Sequence, residues 1–238
     1  MTPAWSTSMR NVLDDGCGVL VPIDDTNSDC RSGTTVGVDP RTNDKPAGRV
    51  IDRQTSSPAV LPDGAILYGS KTFYNDGNGH LFKLSPTGQV LATYPTGFDS
   101  TPAIFPHDGT YSIVVKHNFG EYYLVSLDAN LSEEWTFVNP NTESCVRQPD
   151  GTVTCEPGPA DGFEWCVNQP AVDAAGTTYA NSDDGRLYAI DRNGTLRDSI
   201  FLDVTLGAAY TPVAIGSDGR LYAQNSGHLI VVGNAPPP

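Results

Sequence analysis

The 238-residue chain is short of positive charge, of histidine and of long apolar runs. Fourteen lysines and arginines stand against 28 aspartates and glutamates, a net charge of −14. A surface of that sign repels phosphate. It argues against nucleic acid and anionic membranes as partners and leaves cations, neutral sugars and basic protein patches. No stretch approaches the ~18 apolar residues of a spanning helix, so no membrane span is expected. There is no CxxC, which removes the usual zinc spacing. GxSxG, P-loop and GxGxxG patterns are also missing, and no cofactor is expected. The opening residues Met1-Thr2-Pro3-Ala4-Trp5 have neither the basic stretch nor the apolar core of a secretory leader.

Turn-forming residues are abundant instead. The 24 glycines and 19 prolines are roughly half as many again as average usage would give. That favours a fold of short strands and many turns. With 38 % hydrophobic residues, the chain is too apolar to be disordered, and its length suits one domain with a sizeable core.

The five cysteines are Cys17, Cys30, Cys145, Cys155 and Cys166. Cys145 and Cys155 flank a stretch centred on Pro149-Asp150-Gly151. Such a turn sets them opposite each other on a short hairpin, within disulfide reach. Cys17 with Cys30 is a second possible pair, which leaves Cys166 over. Disulfides belong to oxidising compartments. The expectation is therefore an extracytoplasmic protein (periplasmic, cell-surface or secreted) whose leader is absent from this chain.

An internal repeat organises the sequence. Ser57-Pro58-Ala59-Val60-Leu61-Pro62-Asp63-Gly64 returns as Thr101-Pro102-Ala103-Ile104-Phe105-Pro106-His107-Asp108-Gly109. It returns again as Gln169-Pro170-Ala171-Val172-Asp173-Ala174-Ala175-Gly176 and as Thr211-Pro212-Val213-Ala214-Ile215-Gly216-Ser217-Asp218-Gly219. Each phrase precedes β-rich runs parted by Gly, Asn and Asp turns, four short strands per unit. Asp15-Gly16 marks a degenerate first copy. The units span 7–54, 55–98, 99–140, 163–206 and 207–234, with an insertion at 138–162 and a proline-rich tail at 235–238. One four-stranded sheet cannot cover both its own faces, but sheets stacked around an axis cover one another. The expected fold is all-β: a β-propeller of four-stranded antiparallel blades, five in number. The last unit ends before its outer strand, and residues 1–6 around Trp5 are expected to supply it and close the ring.

The Ser/Thr-Pro-Ala opening, the run Asp184-Gly185-Arg186-Leu187-Tyr188-Ala189-Ile190-Asp191 with Gly194, and Trp135 in an outer strand resemble the PQQ-like repeat of β-propellers. That repeat occurs in quinoprotein alcohol dehydrogenases and in BamB-like assembly scaffolds. The resemblance covers most of residues 55–233 and implies an architecture rather than an activity. The adjacent cysteine pair of the quinoproteins has no counterpart here, so their cofactor is not expected. In the repeat the tryptophan docks one blade on the next, and Trp135 is expected to do so.

Candidate chemistry is thin. Asp25, Asn27 and Asp29 are spaced like the start of a calcium loop. Cys30 stands where that loop needs glycine, and Val36 where it needs a bidentate glutamate, so a polar hairpin tip is expected rather than a metal site. His107 and His117 show no evident acidic partner or nucleophile. Segments preceding the inner strands face the channel and make Arg53, Phe98, Asp99, Glu164, Trp165 and Tyr210 the candidate ligand-binding residues. The main functional reading is a non-enzymatic, monomeric module that binds a protein or carbohydrate partner or acts as a scaffold. The alternative is a glycoside-hydrolase-like propeller. There Asp99 and Glu164 supply the carboxylate pair and Phe98, Trp165 and Tyr210 stack on sugar rings.

Overall fold

The computed structural model describes residues 2–7, 50–51, 56–72, 79–96, 100–119, 121–208 and 211–233. Two compact units divide the chain, Met1–Thr101 and Pro102–Pro238, and each is described by itself. Among the described residues there is no helix, and none long and apolar enough to cross a membrane. The cysteines Cys17 and Cys30, the acidic run Asp25, Asn27 and Asp29, and the candidate residues Arg53, Phe98, Asp99 and Tyr210 lie outside the described residues.

Among the described residues the first unit holds one sheet. Its strands are β1 (Val50–Ile51), β2 (Ala59–Val60), β3 (Ile66–Thr72), β4 (Gly79–Leu84) and β5 (Val90–Thr96). β2 to β5 run up and down as neighbours, and β1 pairs with the far end of β3 beyond β2. Phe82 and Leu84 are buried, with Ile66, Tyr68 and Val90 packed against them.

The second unit repeats the same device. β6 (Ala103–His107), β7 (Thr110–Phe119), β8 (Glu121–Leu127) and β9 (Glu133–Val138) form one four-stranded antiparallel sheet. A two-stranded hairpin follows, β10 (Glu143–Arg147) and β11 (Val153–Pro157). The next four-stranded sheet contains β12 (Ala171–Val172), β13 (Thr178–Asn181), β14 (Arg186–Ile190) and β15 (Leu196–Phe201). The last holds β16 (Ala214–Ile215), β17 (Leu221–Asn225) and β18 (His228–Val232), three strands among the described residues. Its core joins neighbouring sheets: Leu124 and Phe137 lie with Trp165, Ala180, Tyr188, Ile190, Val213 and Ala223 in one buried cluster. Each repeat contributes a layer that its neighbour covers.

The turns explain why this sequence alternates so regularly. Among the described residues, eight five-residue turns share one hydrogen-bond pattern, in which the first N–H donates to the fifth carbonyl and the fourth N–H to the first carbonyl. The fourth residue adopts positive φ, and it is glycine in seven of the eight: Gly64, Gly88, Gly151, Gly176, Gly185, Gly194 and Gly219. Leu131 is the exception, at φ 64°. In one group an anchoring side chain stands first: Asp128, Asp173, Asp191 and Ser85 each accept the backbone N–H groups of the third and fifth residues. In the other group the aspartate stands third, before glycine. Asp63, Asp150, Asp184 and Asp218 each accept the N–H two residues on. The Asp-Gly dipeptides of the repeat are thus turns with a built-in acceptor.

Those glycines also receive neighbouring rings. A Cβ on Gly194 would lie 2.8 Å from the Cβ of Trp135, and one on Gly176 would lie 2.9 Å from the Phe105 ring. Trp135 therefore docks its sheet on the turn of the next, as expected. Trp5 does the same in the first unit. Its indole covers Gly88, where a Cβ would sit 2.7 Å from the ring, and its Nε1 donates to the Pro86 carbonyl at 3.0 Å. This corrects the expectation of a closing strand at the chain start. Residues 2–7 are exposed and form no ladder, because Trp5 is held by a turn rather than by a strand partner.

Gly194 and Gly109 separate the two roles of positive φ. Gly109, at φ 77°, has nothing within 4 Å of a built Cβ. Gly109→Ala is expected to cost only the left-handed penalty, about 1–2 kcal/mol. Gly194→Ala adds displacement of Trp135 and is expected to cost about 3 kcal/mol or more. Urea unfolding of both variants checks the order.

Candidate functional site

Glu164 and Trp165 lie in the second unit, where residues 163–168 cross between the tip of β7 and the turn joining β13 to β14. Asn118 on β7 clamps this segment. Its amide donates to Glu164 Oε1 at 2.7 Å and to the Trp165 carbonyl at 3.0 Å, and its Oδ1 accepts the Trp165 N–H at 3.4 Å. The Glu164 carbonyl accepts from the Ser182 hydroxyl at 2.9 Å and from the Asp183 N–H at 3.0 Å. Asn139 donates to Ser182 Oγ at 2.8 Å and accepts from the Tyr188 hydroxyl at 2.9 Å. That single hydroxyl proton is shared with the fully buried Asp184. Burial and the Asp184 carboxylate push the Tyr188 phenol far up, so it stays a donor at any ordinary pH.

The other end of the segment is tied to the last sheet. Val167 bridges Thr211 in parallel, with hydrogen bonds from Asn168 N–H to Thr211 O and from Thr211 N–H to Cys166 O. Segments preceding successive inner strands therefore run side by side, as the repeat requires.

Trp165 is fully buried, its ring 5.3 Å from Tyr188 edge-on and 5.9 Å from Phe137. A ring enclosed in this way has no free face for a sugar, so its role as a stacking residue is corrected to that of a core residue. Glu164 is half-buried and bound to Asn118. Its proposed partner Asp99 lies outside the described residues.

Beside Glu164 stands a group that sequence reasoning passed over. The buried thiol of Cys166 donates to Asp183 Oδ1 at 2.6 Å. Burial raises the Asp183 carboxyl above its ordinary value, and the Glu164 and Asp184 charges add to the rise. The Cys166 hydrogen bond and the buried Lys116 ammonium oppose it. Cys166 was visible only as an odd cysteine, and Asp183 only as part of a turn. Their pairing needs the fold.

His107 does have an acid and a hydroxyl beside it, contrary to the sequence expectation. Its Nε2 lies 2.8 Å from Ser112 Oγ and its Nδ1 3.3 Å from Asp108 Oδ2. Sequence spacing resembles no triad here because a two-residue Asp108-Gly109 turn creates it: His107 pairs with Thr110 across the hairpin. Arg192 completes the cluster. The guanidinium lies 2.9 Å from His107 Nδ1 and 2.6 Å from Asp108 Oδ2, and holds the Asp108 carboxyl below its usual range, with His107 assisting. A guanidinium only donates. The Asp108 carboxylate only accepts, so the two neighbours of His107 Nδ1 favour opposite tautomers, and Nδ1 is taken up within this cluster in either one. His117 stacks on Tyr123 at 4.4 Å and is buried.

The hairpin β10–β11 occupies the expected insertion and carries the expected disulfide. Cys145 and Cys155 are directly opposite, with Cα atoms 4.1 Å apart. Cys145 turns its N–H and C=O away from β11. The N–H donates to Thr205 Oγ1 at 2.7 Å, and the C=O accepts the Thr205 N–H at 2.9 Å. The pair is therefore a closely spaced non-hydrogen-bonded one, the position where a cross-strand bridge reaches. Further bonds from Arg147 N–H to Asp203 O, and the bridge Val146 to Val204, fasten β10 along residues 203–205. A groove of about 480 Å³ opens beside it, lined by Val146, Thr154, Glu156 and Leu206 among others. Leu206 is 71 % exposed at φ 62°.

No family model matches the chain, and no curated protein matches it. Several solved structures do resemble it. A protein of unknown function from Bacteroides caccae is 14 % identical over 71 % of this chain and 51 % of its own, with a TM-score of 0.42. BamB from Moraxella catarrhalis is 17 % identical over 76 % and 57 %, with a TM-score of 0.34. The C-terminal WD40 domain of Sif2 is 14 % identical over 71 % and 51 %, with a TM-score of 0.35. The chain spans between half and three fifths of these solved chains. Likeness at this level adds nothing to what the sheets themselves establish, a repeat of propeller-blade type.

Asp183 gives the site a titration signature. Its raised carboxyl binds its proton more tightly folded than unfolded, so its contribution to stability falls as pH rises from the unfolded value of about 3.9 to the raised folded value. Above that the deficit is constant. Asp183→Asn keeps an acceptor for the Cys166 thiol and sheds the charge. It is expected to raise the thermal midpoint at pH 7, with the gain shrinking as pH falls through the carboxylate range. Thermal unfolding of both chains across pH 3–7 measures it.

Proposed function

We propose that the chain is a non-enzymatic, exported binding or scaffold module built as a β-propeller, with the 138–162 insertion as its contact element. One observation carries this reading. The polar groups with catalytic potential in the second unit are engaged in holding segments together, whereas the hairpin that contributes least to the core is the most exposed. Glu164 is clamped by Asn118, Asp183 accepts from Cys166, and Arg192 engages both His107 and Asp108. All five residues of β11 are exposed. The Cys145–Cys155 bridge fits an oxidising compartment. Five blades, with the first formed by the degenerate copy ahead of residue 55, remain the proposed ring. The repeat resembles that of quinoproteins and of BamB-like scaffolds alike, and the lack of an adjacent cysteine pair in the sequence favours the scaffold.

Two experiments set this against the hydrolase alternative. A fluorophosphonate probe is expected to leave Ser112 unlabelled, and a polysaccharide panel is expected to yield no released sugar. Replacing residues 141–158 by a short Gly-Ser link is expected to abolish partner cross-linking while leaving cooperative unfolding intact. Sugar release that disappears in Glu164→Gln, or labelling at Ser112, overturns the proposal.

A further inference from the structure

The geometry points to the free edge of β11 as a docking site for an extended, basic segment of a partner protein, which adds to the hairpin as a third strand. This rests on the binding-scaffold reading and names the partner's chemistry.

The register assigns every backbone group of the hairpin. Gln148 and Thr152 are joined across the turn by a hydrogen bond from Gln148 N–H to Thr152 O at 2.7 Å. In an antiparallel ladder bonded and non-bonded pairs alternate. Val146 with Thr154 and Ser144 with Glu156 are therefore bonded pairs, and Arg147 with Val153 and Cys145 with Cys155 are not. On β10 the outward groups of Cys145 and Arg147 meet residues 203–205. On β11 the outward groups are the N–H and C=O of Val153 and Cys155. Among the described residues no strand pairs with that edge, and each residue of β11 is exposed. The disulfide and the seating of β10 fix this edge in an extended conformation, so a partner strand meets a template that is already ordered.

Charge defines what fits. The insertion contains four acids, Glu143, Asp150, Glu156 and Asp161, all exposed, and one base, Arg147. That base is turned back on its own chain. Its guanidinium donates to the carbonyls of Leu202, Phe201 and Gly151, and lies 5.7 Å from the Phe201 ring centroid. The hairpin therefore presents negative charge to a partner with no available base among its own residues. An incoming strand bonded to Val153 and Cys155 places a side chain directly opposite Glu156 in a closely spaced non-bonded pair. Opposite charges there are stabilising and like charges are not. Lysine or arginine fits that position, and a β-branched residue fits opposite the exposed Val153.

The test uses the full chain and two tagged peptides, one alternating lysine with valine and one with glutamate in place of lysine, read by fluorescence anisotropy. The lysine peptide is expected to bind and the glutamate peptide not. Val153→Pro removes an outward N–H that the hairpin does not use. It is expected to weaken the lysine peptide by about tenfold or more with an unchanged unfolding midpoint. Glu156→Lys, a surface change, is expected to weaken it by about fivefold or more. Equal binding of both peptides, or Val153→Pro binding like the parent, overturns the proposal. Failure of the parent chain to bind either peptide also overturns it. The scaffold reading is judged separately, by loss or retention of cross-linking when residues 141–158 are replaced.

Discussion

The missing Cβ at the fourth position of a five-residue turn is the constraint on which the rest of this structure rests. It permits the positive φ in seven of the eight described turns, Leu131 being the exception, and at three of them it leaves room for an aromatic ring from a preceding segment to lie directly on the backbone. Trp135 on Gly194, Phe105 on Gly176 and Trp5 on Gly88 are three uses of that one vacancy. Any other residue would both strain the turn and push the ring away. Strand length, turn chemistry and sheet-on-sheet contact are set by the same dipeptides, so the repeat is visible in sequence and in space at once.

Polar groups follow a similar economy. Turn aspartates fall into those that serve only their own turn, such as Asp128 and Asp191, and those drawn into contacts beyond it. Asp184 holds its turn through Arg186 N–H and also receives the Tyr188 hydroxyl. Asp183, its neighbour, leaves the turn to accept the Cys166 thiol. A buried polar group without a partner costs more than its hydrogen bond returns, so the network of Asn118, Glu164, Ser182, Asn139 and Tyr188 is best understood as fastening. The same groups are then poorly placed to act on a substrate, because each would have to break a bond to do so.

This distinction explains which features could be read from the residues. The Ser-Pro-Ala and Asp-Gly phrases specify local backbone geometry, and local geometry is legible. The Cys145–Cys155 pair is likewise local, since a hairpin turn brings it together, and Trp135 on a turn glycine follows from repeat spacing. Trp165 and Glu164 are not legible in this way, because their environments come from Phe137, Tyr188 and Asn118, far away in sequence. An aromatic followed by an acid or preceded by one looks the same at a channel mouth as in a core. The His107, Ser112 and Asp108 group shows the converse. It forms locally, yet Arg192, 84 residues beyond Asp108, binds both the acid and the imidazole.

The insertion inverts these rules, and its exposure needs an account. A bare strand edge invites pairing with another copy of the same chain. Here the charge opposes that outcome. Two copies meeting edge to edge would bring Glu156 of each into a field of like sign, on molecules that each carry a net charge of −14. Pro157 ends the strand with a residue that cannot donate. The hairpin is held rigid by a bridge at its centre and by β10 along residues 203–205, so it gains little by folding its second edge inward. An edge kept open, straight and acidic discriminates against its own kind while remaining complementary to a basic strand, and both properties follow from the same few carboxylates.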